Sequence, residues 1–339
     1  MRIHKKLFRL ACLLVPHALA QACPETLPDT MKALRVHQYG GADAAQLDVV
    51  ARPQPGAGQV LVAVHAASVN PIDWKIREGM VQSWWPLTLP AVLGRDASGE
   101  VVAIGPGDDD VACGDAVVVA LMHRDPRGTY AEYIVVDAGN VAPKPDRLSF
   151  VEAAAYPLVA LTAWNAVEAA GVESGQRVLV QGGAGGVGSI VIQMAKARGA
   201  HVVTTASARN EAHLLALGAA QVVDYRSVRF EDVVDPVDAV IDAVGGETTA
   251  RSVAVVRRGG RLVTFAGALP REACAEAGIA CVGSDAGDPA DALAAIGALF
   301  EDGTLKVNVE AVYPFLDAAA ALERNREGRT RGKLVLQMR

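Results

Sequence analysis

"RVLVQGGAGGVGSIVIQMAKARG", residues 177–199, decides how the chain is read. A short apolar run enters a cluster of glycines, and the glycines open a segment with helical patterning. Within the cluster stands Gly183-x-Gly185-x-x-Gly188. In such a loop the first glycine permits a tight turn and the second lets backbone approach a pyrophosphate. The third lets the helix pack closely on the strand, with its N-terminal amides facing the phosphates. An isolated match of this kind is only a glycine-rich turn; what gives it weight is its setting.

That setting is an alternation of strands and helices. Strand-like runs recur at 177–182, 201–206, 221–225, 238–244, 261–267 and 279–284, with helical patterns such as 188–199 and 208–218 between them. Near-continuous apolar strands separated by helices predict an α/β fold, a doubly wound parallel six-stranded sheet buried on both faces. Ahead of it, from Met31 to about residue 146, alternation is in period two, as in "VLVAVHAASV" (60–69), "ASGEVVAIG" (97–105), "DAVVVAL" (115–121) and "YAEYIVV" (130–136). Gly and Pro punctuate these runs, so a small antiparallel β-domain is expected. Residues 148–171 then switch to helical spacing, and strand character returns at 305–314 and 332–338. The expected organisation is a β-rich domain over 31–150, completed by 305–339, around a dinucleotide-binding domain over 151–304.

The 339 residues suffice for two cores, and a formal charge of −6 without aromatic-interleaved basic clusters argues against nucleic acid as a partner. The five cysteines, Cys12, Cys23, Cys113, Cys274 and Cys281, show no metal-cage spacing, and no disulfide framework is expected of them. Past residue 22 no apolar run approaches the ~20 residues that span a bilayer.

An NAD site wants an acidic side chain at the end of the second strand, where it accepts from the ribose hydroxyls. Here "HVVTTAS" ends without one and is followed by Ser207 and Arg209. A hydroxyl with a guanidinium suits a 2′-phosphate, so NADP(H) is the expected cofactor. Tyr225 and Arg226, after the third strand, are placed to close the same pocket over the adenine end.

Together with "QGGAGGVG", the segments "NPIDWKIREG", "LGRDASGEVVAIG", "PLVALTAW" and "RGKLVL" occur along the chain in an order that resembles the medium-chain dehydrogenase/reductase superfamily, in its zinc-free, quinone-oxidoreductase-like branch. The resemblance runs from Met31 to Arg339. It implies a GroES-like catalytic domain split around a Rossmann domain, a cleft between them, and often a homodimer. It also implies that Gly186, Val187, Thr162, Val244 and Phe265 approach the cofactor and that Lys333 reaches its phosphates, a solvated lysine at a strand end being the alternative. Zinc members hold their metal with a Cys and a Gly-His-Glu segment; this chain has Asn70-Pro71-Ile72-Asp73 and Gly94-Arg95-Asp96 there, so no metal ligand is expected.

What remains is hydride transfer from NADPH to a quinone or an α,β-unsaturated carbonyl. An enoyl-thioester reductase and a low-turnover NADP-binding redox sensor are the alternatives. A Tyr that some relatives carry near "NPIDWKIREGM" is replaced by Trp74 and Met80. Asn70, Asp73 and Arg95 are therefore the candidate catalytic groups, with Lys75 as a further polar one and an Asp73–Arg95 ion pair as the structural alternative; solvent is the other proton source. Trp84 and Trp85 either line a flat substrate's pocket or belong to the core.

The amino terminus carries a different message. Lys5, Lys6 and Arg9 precede an apolar run and Ala18-Leu19-Ala20, the three-part order of an export signal over about residues 1–22. Periplasmic or secreted localisation is expected, with a cytoplasmic enzyme starting at Met31 as the alternative.

Overall fold

The computed structural model describes residues 21–23, 26–107, 111–121, 125–283 and 289–339. The charged and apolar parts of the export signal, and Cys12, lie outside the described residues.

Six strands form one wholly parallel sheet. Across it run Gln221–Asp224, His201–Ala206, Arg177–Gln181, Val237–Asp242, Val256–Thr264 and Ala280–Gly283, so the chain order is third, second, first, fourth, fifth, sixth. The apolar runs are continuous because both faces are covered. Val178 and Val180 face one apolar cluster while Leu179 faces another, and Val202 and Val203 divide in the same way. The strand order reverses between the first and fourth strands, which opens a crevice at their carboxyl ends.

The other large sheet is built around the long strand Gln59–Val69, which pairs antiparallel with Asp96–Ile104, Tyr133–Asp137 and Lys333–Gln337. The last of these brings the end of the chain back beside its first third, with Leu334 opposite Val69. The helical stretch at 148–171 proves to be two helices, Phe150–Ala154 and Pro157–Ala170. Ser149 and Glu152 make a reciprocal capping box on the first. Pro157 has no N–H to continue that helix and starts the second instead.

The cysteines correct the expectation that they form no disulfides. Cys23 is bonded to Cys113, and Cys274 to Cys281, with Cα atoms 5.6 and 6.1 Å apart. Spacing rules detect metal cages and tight redox pairs; they do not see a bond across 90 residues. Cys23 reaches its partner because Gln21–Ala22 adds as a short strand opposite Ala103 and Ile104. Cys274 and Cys281 meet because the helix Arg271–Ala277 turns directly into the edge strand Ala280–Gly283.

Candidate active site

The crevice begins at the glycine loop. Gly182 carries the turn, with φ +76°, so it and not Gly183 is the residue that needs left-handed backbone. Gly183 is required for a different reason: a Cβ there would lie 2.0 Å from Thr204 Oγ1. A Cβ on Gly188 would lie 2.4 Å from the carbonyl oxygen of Gly182, which is the close helix–strand packing expected of the third glycine. Gly185 has room for a Cβ, whose nearest neighbour would lie at an ordinary contact distance of 3.5 Å, and it heads the helix Gly186–Ala197 without a side-chain cap. That helix therefore presents unpaired N–H groups and the positive end of its dipole to the crevice, which fits a pyrophosphate. Val187 lies in its first turn, partly buried against the sheet's core.

Opposite the loop stands the turn after the fourth strand. Asp242, fully buried, accepts from the backbone N–H of Val244 and Gly245 and from the hydroxyls of Thr249 and Thr264. This clamp holds Val244 over Gly182, where a Cβ would come 3.0 Å from Val244 Cγ2. Phe265 packs partly buried beside the same core. Asp242 was missed in the sequence, although an acid ending the apolar run "DAVID" was its signal. At the ends of the second and third strands, Ser207 is buried and accepts from Asn210 Nδ2 at 3.1 Å. Arg209 is exposed, with one Nη donating 2.8 Å to the carbonyl of Arg329. Tyr225 is 56% exposed, with the Arg226 guanidinium 5.8 Å from its ring centre. Thr162 is half-buried and donates to Leu158 O of its own helix at 2.7 Å.

The catalytic candidates are gathered less simply. Asn70 is 2% exposed and both ends of its amide are engaged: Oδ1 accepts from Lys333 Nζ, and Nδ2 donates to Asp96 Oδ1 at 2.8 Å. Asp73 Oδ2 accepts from the Asn70 N–H at 2.8 Å, completing the cap of the helix Pro71–Arg77, and from Tyr130 Oη at 2.6 Å. Burial lifts the Asp73 carboxyl to about 6; the hydrogen bonds from Tyr130 and Asn70 oppose the rise. Arg95, also buried, spends its guanidinium on the carbonyls of Asp125 and Arg127 at 2.9 and 2.5 Å and lies 5.0 Å over Trp85. It makes no ion pair with Asp73, so that alternative is set aside. Of the tryptophans, Trp85 is core and Trp84 is 51% exposed.

Lys333 is not the solvated strand-end residue that was one reading of it: at 3% exposure its ammonium donates to Val69 O at 3.0 Å and to Asn70 Oδ1. Asp96 was read in the sequence only as standing where a metal motif has Glu, and Ser68 and Tyr130 went unnoticed because nothing local marks them. Ser68 Oγ donates to Asp96 at 2.6 Å, and the backbone N–H of Leu158 reaches the other oxygen of Asp96 at 3.2 Å. Most of the oxygen and amide groups here are engaged with one another, Asp73 Oδ1 being left without a partner, and among the described residues no group of three His, Cys, Asp or Glu is placed to hold a metal.

A parallel sheet of this strand order with a bare helix terminus at its switch point defines a dinucleotide-binding protein with a second, β-rich half closing the crevice. Comparison with known proteins carries this further. The alcohol dehydrogenase GroES-like domain matches residues 56–146 and the zinc-binding dehydrogenase domain matches 217–336. A 2-methylene-furan-3-one reductase of Solanum lycopersicum is 38% identical over 325 residues, covering 92% of this chain and 80% of the relative. An NADPH-dependent alkenal/one oxidoreductase of Arabidopsis thaliana is 34% identical with the same coverage of 92% and 80%. The solved structure of a quinone oxidoreductase from Coxiella burnetii superposes with a TM-score of 0.85 at 35% identity, over 91% of this chain and 100% of that one. The chain belongs to the medium-chain dehydrogenase/reductase superfamily, in its quinone-oxidoreductase-like branch.

Proposed function

We propose that the chain is an NADPH-dependent, zinc-independent reductase that transfers hydride to a quinone or an α,β-unsaturated carbonyl. One observation carries the choice of cofactor. The second strand of the parallel sheet ends at Ala206 without a carboxylate and is followed by Ser207 and Arg209, a pairing suited to a phosphate and unsuited to free ribose hydroxyls. The relatives named as alkenal/one and 2-methylene-furan-3-one reductases favour an electron-poor alkene as acceptor.

When bound, the nicotinamide supplies the hydride. The protein's part is to hold the pyrophosphate on the N-terminus of the helix Gly186–Ala197, the 2′-phosphate at Arg209, and one wall of the crevice with Val244. Zinc independence rests on the donor set: amide, hydroxyl and carboxylate groups at Asn70, Ser68, Asp73 and Asp96, without the thiolate or imidazole that a zinc site takes. We assign the proton that completes the alkene's reduction to solvent, because Asp73 and Tyr130 are buried and bonded to each other.

Steady-state oxidation of NADPH with a simple quinone and with a short-chain enone tests the reading. Turnover with either, and much less with NADH, is the expected result. Tight NADPH binding without turnover would replace the reductase by a cofactor-binding sensor, and turnover confined to an enoyl thioester would move the substrate class.

We also infer that the protein works in an oxidising compartment. Support comes from Cys23, just past Ala18-Leu19-Ala20, and its bond to Cys113, since disulfides persist in exported proteins and are rare in reducing ones. Amino-terminal sequencing of the mature protein should return Gln21; Met31 or Lys32 would remove Cys23 and mean a cytoplasmic enzyme.

A further inference from the structure

Gly186 is not one of the three glycines that the dinucleotide fingerprint requires, yet a Cβ there would lie 2.8 Å from Lys333 Cδ and 3.0 Å from Val159 Cγ1. The methylene stem of Lys333 thus crosses the glycine loop at Gly186, where a side chain would stand in its way. Its neighbour Gly332 is fixed there too, its N–H donating to Ala184 O at 2.8 Å and its backbone bridging Gly185. From this crossing the ammonium reaches Val69 O and Asn70 Oδ1.

The Lys333 amine donates to the Asn70 amide and Asp96 accepts from it, although burial works against the charge on both. An amide held between them has a single orientation: Oδ1 on Lys333 and Nδ2 on Asp96. Asp96 is held in turn by Ser68 Oγ and by the N–H of Leu158 at the start of the helix Pro157–Ala170. The web therefore joins the glycine loop, the amino end of that helix, the end of the strand Gln59–Val69 and the first residue of the strand Lys333–Gln337. We propose that Lys333 is a positioning residue that registers the glycine loop against Asn70 and fixes the Asn70 amide, so that hydride donor and acceptor meet in one geometry. This rests on the reductase reading.

A lysine contacting phosphate and a lysine fixing Asn70 are separable by a split between binding and turnover. In the full-length protein, Lys333→Met is expected to lower kcat for NADPH oxidation tenfold or more while the Kd for NADPH, from quenching of its fluorescence, changes less than about threefold. Asn70→Ala should give the same split, and the double variant should be no worse than the more damaged single one, because the two residues act in series. A large rise in Kd with kcat kept would make Lys333 a phosphate ligand and overturn the proposal. Additive losses in the double variant, or unchanged kcat in both singles, would also overturn it. If Lys333→Met fails to fold, the Asn70→Ala split alone decides. The wild-type protein guards the underlying reading: if it neither binds nor oxidises NADPH, the function is wrong whatever the variants do.

Discussion

The glycine loop and the web around Asn70 lie on two sides of one crevice and are specified in opposite ways. Gly182, Gly183 and Gly188 are near neighbours in sequence, and each is constrained by its own backbone conformation, by the loop backbone or by the adjoining strand. Ser68 and Asn70, Asp96, Tyr130 and Lys333 come from four separate stretches and are constrained largely by one another. A site made of local steric requirements tolerates no added atom, whereas a site made of distant polar partners tolerates no lost one.

The largest effect is expected where the first rule is broken. Gly188→Ala puts a methyl against the Gly182 carbonyl, so the helix must move off the strand; overpacking of this kind costs about 1–3 kcal/mol. NADPH binding should fall below detection in a titration, with a lowered unfolding midpoint.

Next comes the adenosine end. Arg209→Ala removes one charge-assisted contact, roughly 1.5–3 kcal/mol, and should weaken NADPH binding about ten- to a hundredfold while leaving NADH binding nearly unchanged. Equal losses for both cofactors would show the phosphate to lie elsewhere.

Asp73 tests the second rule through pH. Its carboxyl is lifted in the folded protein from the ordinary 3.8 to about 6 by burial, so the folded state holds a proton that the unfolded state releases. The stability this group contributes is complete below about pH 4 and is lost as pH rises through about 6. Asp73→Asn stays neutral and keeps an acceptor for Tyr130. The difference in unfolding free energy between wild type and variant should therefore change across that window, by a few kcal/mol at most, and stay flat above it. A flat difference throughout would mean that the carboxylate is not desolvated.

The smallest effect is expected at Trp84, half exposed and outside the web. Trp84→Ala should shift stability by less than about 0.5 kcal/mol, and any change it makes should appear in the KM of a bulky acceptor.

The same contrast explains what the sequence disclosed. The strands, their parallel order and the fingerprint glycines were legible because period, length and spacing are local properties. The lack of an acid after the second strand was legible for the same reason. Lys333 was not: its identity reads as a strand-end lysine, and only the pairing of the last strand with Gln59–Val69 carries it past Gly186 to Asn70. The partners of Asp96 escaped likewise, and Tyr130 altogether, being ordinary residues until the fold buries them together. The disulfide from Cys23 to Cys113 depends on a two-residue strand, too short to leave a pattern.

The central claim is direct hydride transfer from NADPH, and deuterium tests it most directly. With NADPH deuterated on the reactive face of its nicotinamide C4 and a short-chain enone in ordinary water, the saturated ketone should carry one deuterium on the former β-carbon and a solvent hydrogen on the α-carbon. Product without deuterium from either labelled face, or no saturated product while NADPH binds, would contradict the account.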